Sequence, residues 1–212
     1  MSITLYGEKY WISPYVLSCF VALKEKGLPF ELEVLSLGDK EQLAPSFARS
    51  LTSRVPALEH DGFWIAESSA IVEYLEEAFP APRHAPVMPT SLQDRARARQ
   101  LMSWIRSDLM PIREERSTAT VFFEKTSTPL TPAGRAAADK LLRIAAELLP
   151  PGKTTLFDTF TIADADLSLM LQRLAKNGDD VPAHLRDWAN AVWARPSVAE
   201  FVAHARPAFV PY

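Results

Sequence analysis

The chain has 212 residues, 48% of them apolar and 23% charged, so it can bury a core and lacks the composition of a disordered segment. A single cysteine, Cys19, excludes a disulfide framework, a CxxC dithiol and a cysteine zinc site, and the scattered histidines His60, His84, His184 and His204 offer no HExxH spacing. The formal charge of −3 divides into −6 over residues 1–80 (6 Lys and Arg against 12 Asp and Glu) and +3 over the rest, so neither half carries the basic field of a nucleic-acid binder.

The first 80 residues alternate between two periods. Ile3 to Tyr6 reads as a short strand beside Gly7, and Pro14 to Lys26 as a helix with Val16, Phe20 and Leu23 on one face and Gly27 as its stop. Phe30 to Leu37 alternates apolar with polar, as a strand with one wet face does. Gln42 to Leu51 is a weak helix interrupted by proline. Val55 to Leu58 and Phe63 to Ile65 flank His60-Asp61-Gly62, a hairpin signal. Ser68 to Phe79 is a helix burying Ile71, Val72, Leu75 and Phe79.

Residues 81–91 form a proline-rich linker, with four prolines between Pro80 and Pro89. Helical patterns follow over Gln93 to about Arg116, Thr131–Leu149, Ile162–Lys176, Ala183–Ala194 and Ser197–Ala205. The expected architecture is a small α/β domain over 1–80 joined to an all-α domain over 92–212. No Gly-x-Gly occurs, which removes the dinucleotide fingerprint and the P-loop. No apolar run approaches the ~18–20 residues of a membrane span, and MSITLYGEKYW lacks the basic-then-apolar layout of a signal peptide. A soluble cytoplasmic protein with no metal, nucleic-acid or membrane partner is the expectation.

Several short motifs carry chemistry. Ser13-Pro14 starts a helix, because serine caps well and proline suits the first helical position. That cap is one role; the other is a hydroxyl at a helix N-terminus, able to donate to an anion. In Arg54-Val55-Pro56 the proline precedes a strand and is either an ordinary edge proline or a cis one that exposes the backbone of Val55. Glu67-Ser68, with Ser68 as N-cap, is a capping pair or a receptor for an α-amino acid head group: the carboxylate would take the ammonium and the helix amides the carboxylate.

Thr161-Ile162-Ala163-Asp164 has the form of a capping box, which accounts for Asp164 without catalysis; Asp166 follows two residues on. Arg99, Arg106 and Arg113 recur every seven residues, beside Met102 and Met110. They form either a solvated or dimer-facing stripe or the cationic wall of a pocket. Cys19, near Phe20 and Leu23, reads as a buried small hydrophobe.

In this order the motifs resemble the cytosolic glutathione transferase family over essentially the whole chain. Within it the stretches SPYVLS, ESSAIVEYLE, RARARQ and SDLMPIREER are most similar to the bacterial YfcF-type members. The resemblance implies a thioredoxin-like N-terminal domain that binds glutathione and a helical C-terminal domain that shapes the second-substrate pocket. By position, Ser13 would hydrogen-bond the glutathione sulfur and Val55, ahead of Pro56, would pair its backbone with the cysteinyl part. Glu67 and Ser68 would take the γ-glutamyl end, and Arg54 and Lys40 are candidates for the glycyl carboxylate.

Tyr10, Trp11, Met102, Arg106, Met110 and Arg113 would contribute to the second-substrate pocket. The implied activity is attack by the glutathione thiolate on an electrophile or a hydroperoxide, with no permanent cofactor and a homodimer as the usual state. The alternative is a binding protein that keeps the fold without turnover. Family members that reduce disulfides through their own cysteine carry it where Ser13 stands here, so a mixed disulfide at that position is not expected. Tyr6, Tyr10 and Tyr15 surround Ser13 in sequence and are the fallback thiol donors.

Overall fold

Alternation in ITLYGE builds the central strand β1, Ile3–Glu8, which buries Ile3 and Leu5. In the computed structural model, which describes residues 1–211, β1 pairs in parallel with β2 (Glu31–Leu35) and antiparallel with β3 (Ala57–His60), and β3 pairs antiparallel with β4 (Phe63–Ala66). The sheet order is β2-β1-β3-β4. The β3–β4 register closes His60 on Phe63 across Asp61 and Gly62, both at positive φ (47° and 87°), as the Asp-Gly signal requires.

Helix α1, Pro14–Glu25, lies so close to β1 that a Cβ on Gly7 would stand 3.0 Å from Val16 Cγ1. Val16 to Leu23 are all buried, Cys19 among them, so the helix is covered on more sides than one apolar stripe implies. Helix α2, Ser68–Ala78, buries Ile71, Val72 and Leu75. The weak helix expected over 42–51 is two short 3₁₀ turns, Glu41–Leu43 and Pro45–Ser50, because Pro45 cannot continue the hydrogen-bond ladder.

Past α2, a buried ion pair holds the chain. Lys26 Nζ lies 2.7 Å from Glu76 Oε2, with side-chain exposures of 0% and 6%, and it also donates to the carbonyls of Phe79 and Ala85. Glu76 accepts from the N–H of Val87 at 3.0 Å. The proline-rich stretch is therefore fastened to the ends of α1 and α2.

The chain divides into two compact units: Met1–Val87 together with the segment from Ser197 onward, and Met88–Pro196. The residues from Ser197 onward, expected within the helical stretch 92–212, group with the first unit. Val87 is tied back by Glu76. The last helix, α9 (Pro196–Val202), buries Val198 and Phe201, sets Phe201 against Phe20 of α1 at 5.5 Å between ring centroids, and pairs Glu200 with Lys24 at 2.7 Å.

The second unit is helical. It contains α3 (Leu92–Ser107), α4 (Met110–Glu115), α5 (Thr118–Phe122), α6 (Pro132–Leu148), α7 (Ile162–Asn177) and α8 (Ala183–Trp193). The single helix expected over 93–116 is broken into α3 and α4. Pro111 has no N–H to give the carbonyl four residues back, and its ring clashes with it. Helix α7 is buried from Ile162 to Leu174 and forms the axis of this unit. Its capping box is as expected: the Asp164 carboxylate accepts from Thr161 N at 2.8 Å, Thr161 Oγ1 at 2.9 Å and Leu156 N at 2.7 Å. No described helix is long and apolar enough to cross a membrane, and among the described residues no cluster of His, Cys, Asp or Glu is arranged for a metal ion.

Candidate active site

Strand register gathers most of the candidate residues of the first unit at one end of its sheet. Tyr6 pairs with Ala57 and Glu8 with Leu35, while Ala57 pairs with Ala66. The loop leaving β1 toward Ser13, the approach to β3 through Arg54-Val55-Pro56, and the passage from β4 into Glu67-Ser68 therefore share the end where the parallel strands finish. Lys40 follows β2 at the same end, five residues beyond its last paired residue. In open sheets, ligands are taken up outside these carboxyl ends.

Ser13 is the N-cap of α1, with extended backbone (φ −67°, ψ 119°) and Pro14 in the first helical turn. Its Oγ accepts from Val16 N at 3.3 Å, and its own N–H donates to Glu8 Oε1 at 2.9 Å. Those two bonds leave the hydroxyl proton as the donor Ser13 has to offer. The amides of Ser13 and Val16 are thus engaged inside the protein, and the hydroxyl and the helix dipole remain for an anion.

Glu8 was not singled out from the sequence. It ends β1 buried, at 3% exposure, and also accepts from Tyr10 N and Ile12 N, each at 2.6 Å. Burial pushes its carboxyl above the usual range, opposed by the three amide donors and by the charge of Arg206. A signal was available in principle, since an acidic residue closing an apolar strand is unusual company. Its partners, though, are backbone groups that every loop possesses.

The Val55-Pro56 peptide is cis, with Pro56 buried. Among the described residues no backbone or side-chain hydrogen bond engages half-buried Val55. Glu67, not Ser68, holds the N-cap position of α2, at φ 71° and exposed; no side chain caps this end. Ser68 is the first helical residue and is buried, its carbonyl 3.9 Å from Cys19 Sγ. Arg54 and Lys40 are exposed, Lys40 in the left-handed region at φ 61°.

The C-terminal segment takes up Tyr10 and Trp11, which the sequence placed with the second substrate. The Tyr10 ring packs edge-on against Phe209 at 5.1 Å and its hydroxyl accepts from Val210 N at 3.2 Å. The Trp11 ring stacks on His204 with 3.5 Å between centroids. Tyr6 fares no better as a thiol donor: its hydroxyl donates to Glu59 at 3.2 Å, and burial, with the Glu59 charge second, pushes its pKa up to about 12.

In the helical unit, Arg106 Nη1 lies 2.8 Å from Asp166 Oδ2, with side-chain exposures of 17% and 6%. Arg106 is thus an ion-pair partner inside its own unit, and Met102 is buried. Arg113 is turned to the Arg106 carbonyl at 2.6 Å and to Met110 Sδ at 3.2 Å; Met110 is 40% exposed. This unit also contains a cavity of about 430 Å³ between α3 and α6, with Leu101, Trp104, Ile144 and Phe157 in its wall.

A thioredoxin-like sheet domain carrying a Ser-capped first helix and a cis-proline before β3, followed by an all-helical unit, defines the class of fold. Comparison with known proteins agrees. Residues 12–78 match the glutathione S-transferase N-terminal domain and residues 91–206 the glutathione S-transferase C-terminal domain. The chain belongs to the glutathione S-transferase family.

A Burkholderia glutathione transferase homologue, solved with bound glutathione, is 42% identical over 96% of this chain and 97% of its own, with a TM-score of 0.78. Glutathione S-transferase 1 of Dianthus caryophyllus is 39% identical over 43% of this chain and 41% of its own length. A probable glutathione S-transferase of Oryza sativa subsp. indica is 37% identical over 35% and 32% respectively. The chain thus spans about a third to two fifths of the length of these two curated relatives.

Proposed function

We propose that the protein is a glutathione transferase in which the Ser13 hydroxyl donates to the glutathione sulfur and holds it as thiolate. The observation that carries this reading is the hydrogen-bond pattern of Ser13: its amide and its oxygen lone pair are used internally, and its proton is left over at a helix N-terminus. The Burkholderia homologue's bound glutathione supports the choice of ligand.

A free thiol has a pKa of about 8.5, so a few per cent is ionised near neutral pH. Lowering it by about 2 units makes thiolate dominant and corresponds to about 2.7 kcal/mol of differential stabilisation. A hydroxyl donor to an anion together with a helix N-terminus supplies that order of magnitude. The backbone of Val55 would pair with the cysteinyl unit of the tripeptide. Glu67 would take the γ-glutamyl ammonium, the uncapped start of α2 at Ser68 its carboxylate, and Arg54, with Lys40, the glycyl carboxylate.

The thiolate then forms a bond to an electrophilic carbon, whose leaving group departs with its electron pair. With a hydroperoxide it attacks the outer oxygen instead and the O–O bond breaks. The alkoxide takes a proton, and a second glutathione converts the sulfenic acid to disulfide and water. Met110 and Arg113, at the surface of the helical unit, remain the candidates for contacts to that second substrate. Pairing of two copies is part of the proposal, supported by exposed apolar side chains at Leu51 (89%) and Phe63 (51%), and light scattering of the intact chain tests it.

The deciding experiment is the ultraviolet thiolate absorbance of glutathione against pH, with wild type and with Ser13→Ala. A depressed thiol pKa that relaxes toward its free value in the variant is expected. An unshifted thiol at saturating glutathione, with no turnover above the solution rate, would leave a binding protein without catalysis.

A further inference from the structure

The loop that delivers Ser13 is gripped by charge from both sides. From inside the sheet, the Glu8 carboxylate collects the N–H groups of Tyr10, Ile12 and Ser13 at 2.6, 2.6 and 2.9 Å. From the C-terminal segment, the Arg206 guanidinium donates to the Trp11 carbonyl at 2.9 and 3.3 Å. Arg206 is itself centred in a turn whose carbonyls, from Phe201, Val202 and His204, accept at 3.1, 2.8 and 2.8 Å. Between the two grips, Trp11 sits at φ 53° with its N–H on the Glu8 carbonyl, a conformation that a tryptophan adopts only under constraint.

Closing a short loop does not need a buried carboxylate, whose desolvation is costly. What the carboxylate does here follows from its third donor. By taking the Ser13 N–H, Glu8 sets the backbone of the N-cap residue and removes that amide from the face offered to a ligand. Because Oγ accepts from Val16 N, the hydroxyl proton alone is presented. We propose that Glu8 and Arg206 are positioning residues for the Ser13 hydroxyl: the carboxylate fixes the loop amides, the guanidinium fixes the Trp11 carbonyl, and together they aim the serine proton. This rests on the reading of Ser13 as the thiol partner.

The test uses the intact chain with Glu8→Gln, Arg206→Met and Arg206→Lys, each alone and combined with Ser13→Ala. Bound glutathione is titrated by thiolate absorbance, and hydrogen exchange is followed at the Tyr10–Ser13 amides. The sign of the Glu8→Gln effect is diagnostic. Removing a carboxylate's charge by itself favours a nearby thiolate and lowers the thiol pKa, whereas loss of aim raises it.

The expected result is a rise of about one unit in Glu8→Gln and Arg206→Met, about tenfold less thiolate at a given pH, with the glutathione KM little changed. Arg206→Lys should lie between; once Ser13 is alanine, Glu8→Gln should leave at most the small fall due to its lost charge, and the rise in the Arg206 variants should largely vanish. A lowered or unmoved thiol pKa in Glu8→Gln overturns the proposal, and so do equal shifts in the two backgrounds. Should Ser13→Ala itself be silent, the reading of Ser13 falls. Exchange then decides the positioning alone: faster exchange at Ile12 and Ser13 upholds it and unchanged protection overturns it. If Glu8→Gln does not fold, the half-buried Arg206 variants carry the same comparison.

Discussion

Changing Arg106 to Met separates two accounts of the arginine stripe. The seven-residue spacing leaves a cationic pocket wall as one of two readings, and on that account the substitution weakens anionic substrates selectively. The structure instead pairs Arg106 with Asp166 at 2.8 Å, the carboxylate 6% exposed on the buried helix α7. Breaking a buried pair from one side leaves an uncompensated charge and costs about 3–5 kcal/mol; with Arg106 itself 17% exposed, the lower end applies, about 3 kcal/mol. For a chain of this size, each kcal/mol shifts Tm by about 2–4 °C, so Arg106→Met should melt about 6–12 °C below wild type.

Thermal and urea unfolding of the full chain provide the assay, and Arg106→Met/Asp166→Leu supplies the control. With both charges gone, most of the loss should be recovered. A single variant that melts within about 2 °C of wild type while losing anionic electrophiles selectively would refute the ion-pair argument and restore the pocket wall.

Lys26→Met should cost about 3–5 kcal/mol by urea unfolding, because it strands Glu76 in the interior and frees the carbonyls of Phe79 and Ala85; a loss under about 1 kcal/mol would contradict the burial. Arg116, the largest influence on Asp179 through hydrogen bonds at 2.6 and 2.9 Å, holds its carboxyl below the usual range. That stabilisation is complete above the unfolded carboxyl pKa of about 3.9 and is lost as pH falls through the lower folded value, so Asp179→Asn should flatten the stability profile on the acid side and leave its slope near neutrality unchanged. Gly62→Ala places a Cβ at φ 87° in the β3–β4 turn and should cost about 1 kcal/mol with no effect on glutathione binding, since the turn is at the far end of β3 from Val55.

Local chemistry was legible wherever one or two residues determine a conformation. Asp61-Gly62 demands positive φ and so announces its hairpin; Ser13-Pro14 and Thr161 to Asp164 announce their helix starts. Pro111 carried a readable break in the 93–116 helix that the continuing apolar period masked. What periodicity cannot carry is the identity of the facing group. The seven-residue recurrence of Arg106 marks a helix face but says nothing of Asp166. Glu8 binds loop amides that have no sequence signature, and Arg206 reaches Trp11 from the opposite end of the chain. Ser68 was misplaced by one residue because a buried serine at the first helical position and a capping serine look the same in one dimension.

The return of the segment beyond Ser197 to the first unit has a consequence for biosynthesis. A ribosome releases the sheet, α1 and α2 early, but the residues that cover Phe20 and fasten Trp11 are made only after the whole helical unit. The nascent chain must therefore emerge with an apolar flank on α1 uncovered, a natural point of contact for a chaperone at the exit tunnel. The Ser13 loop gains its last anchor only once translation has passed Arg206, so the unit that begins to emerge first is the one completed last.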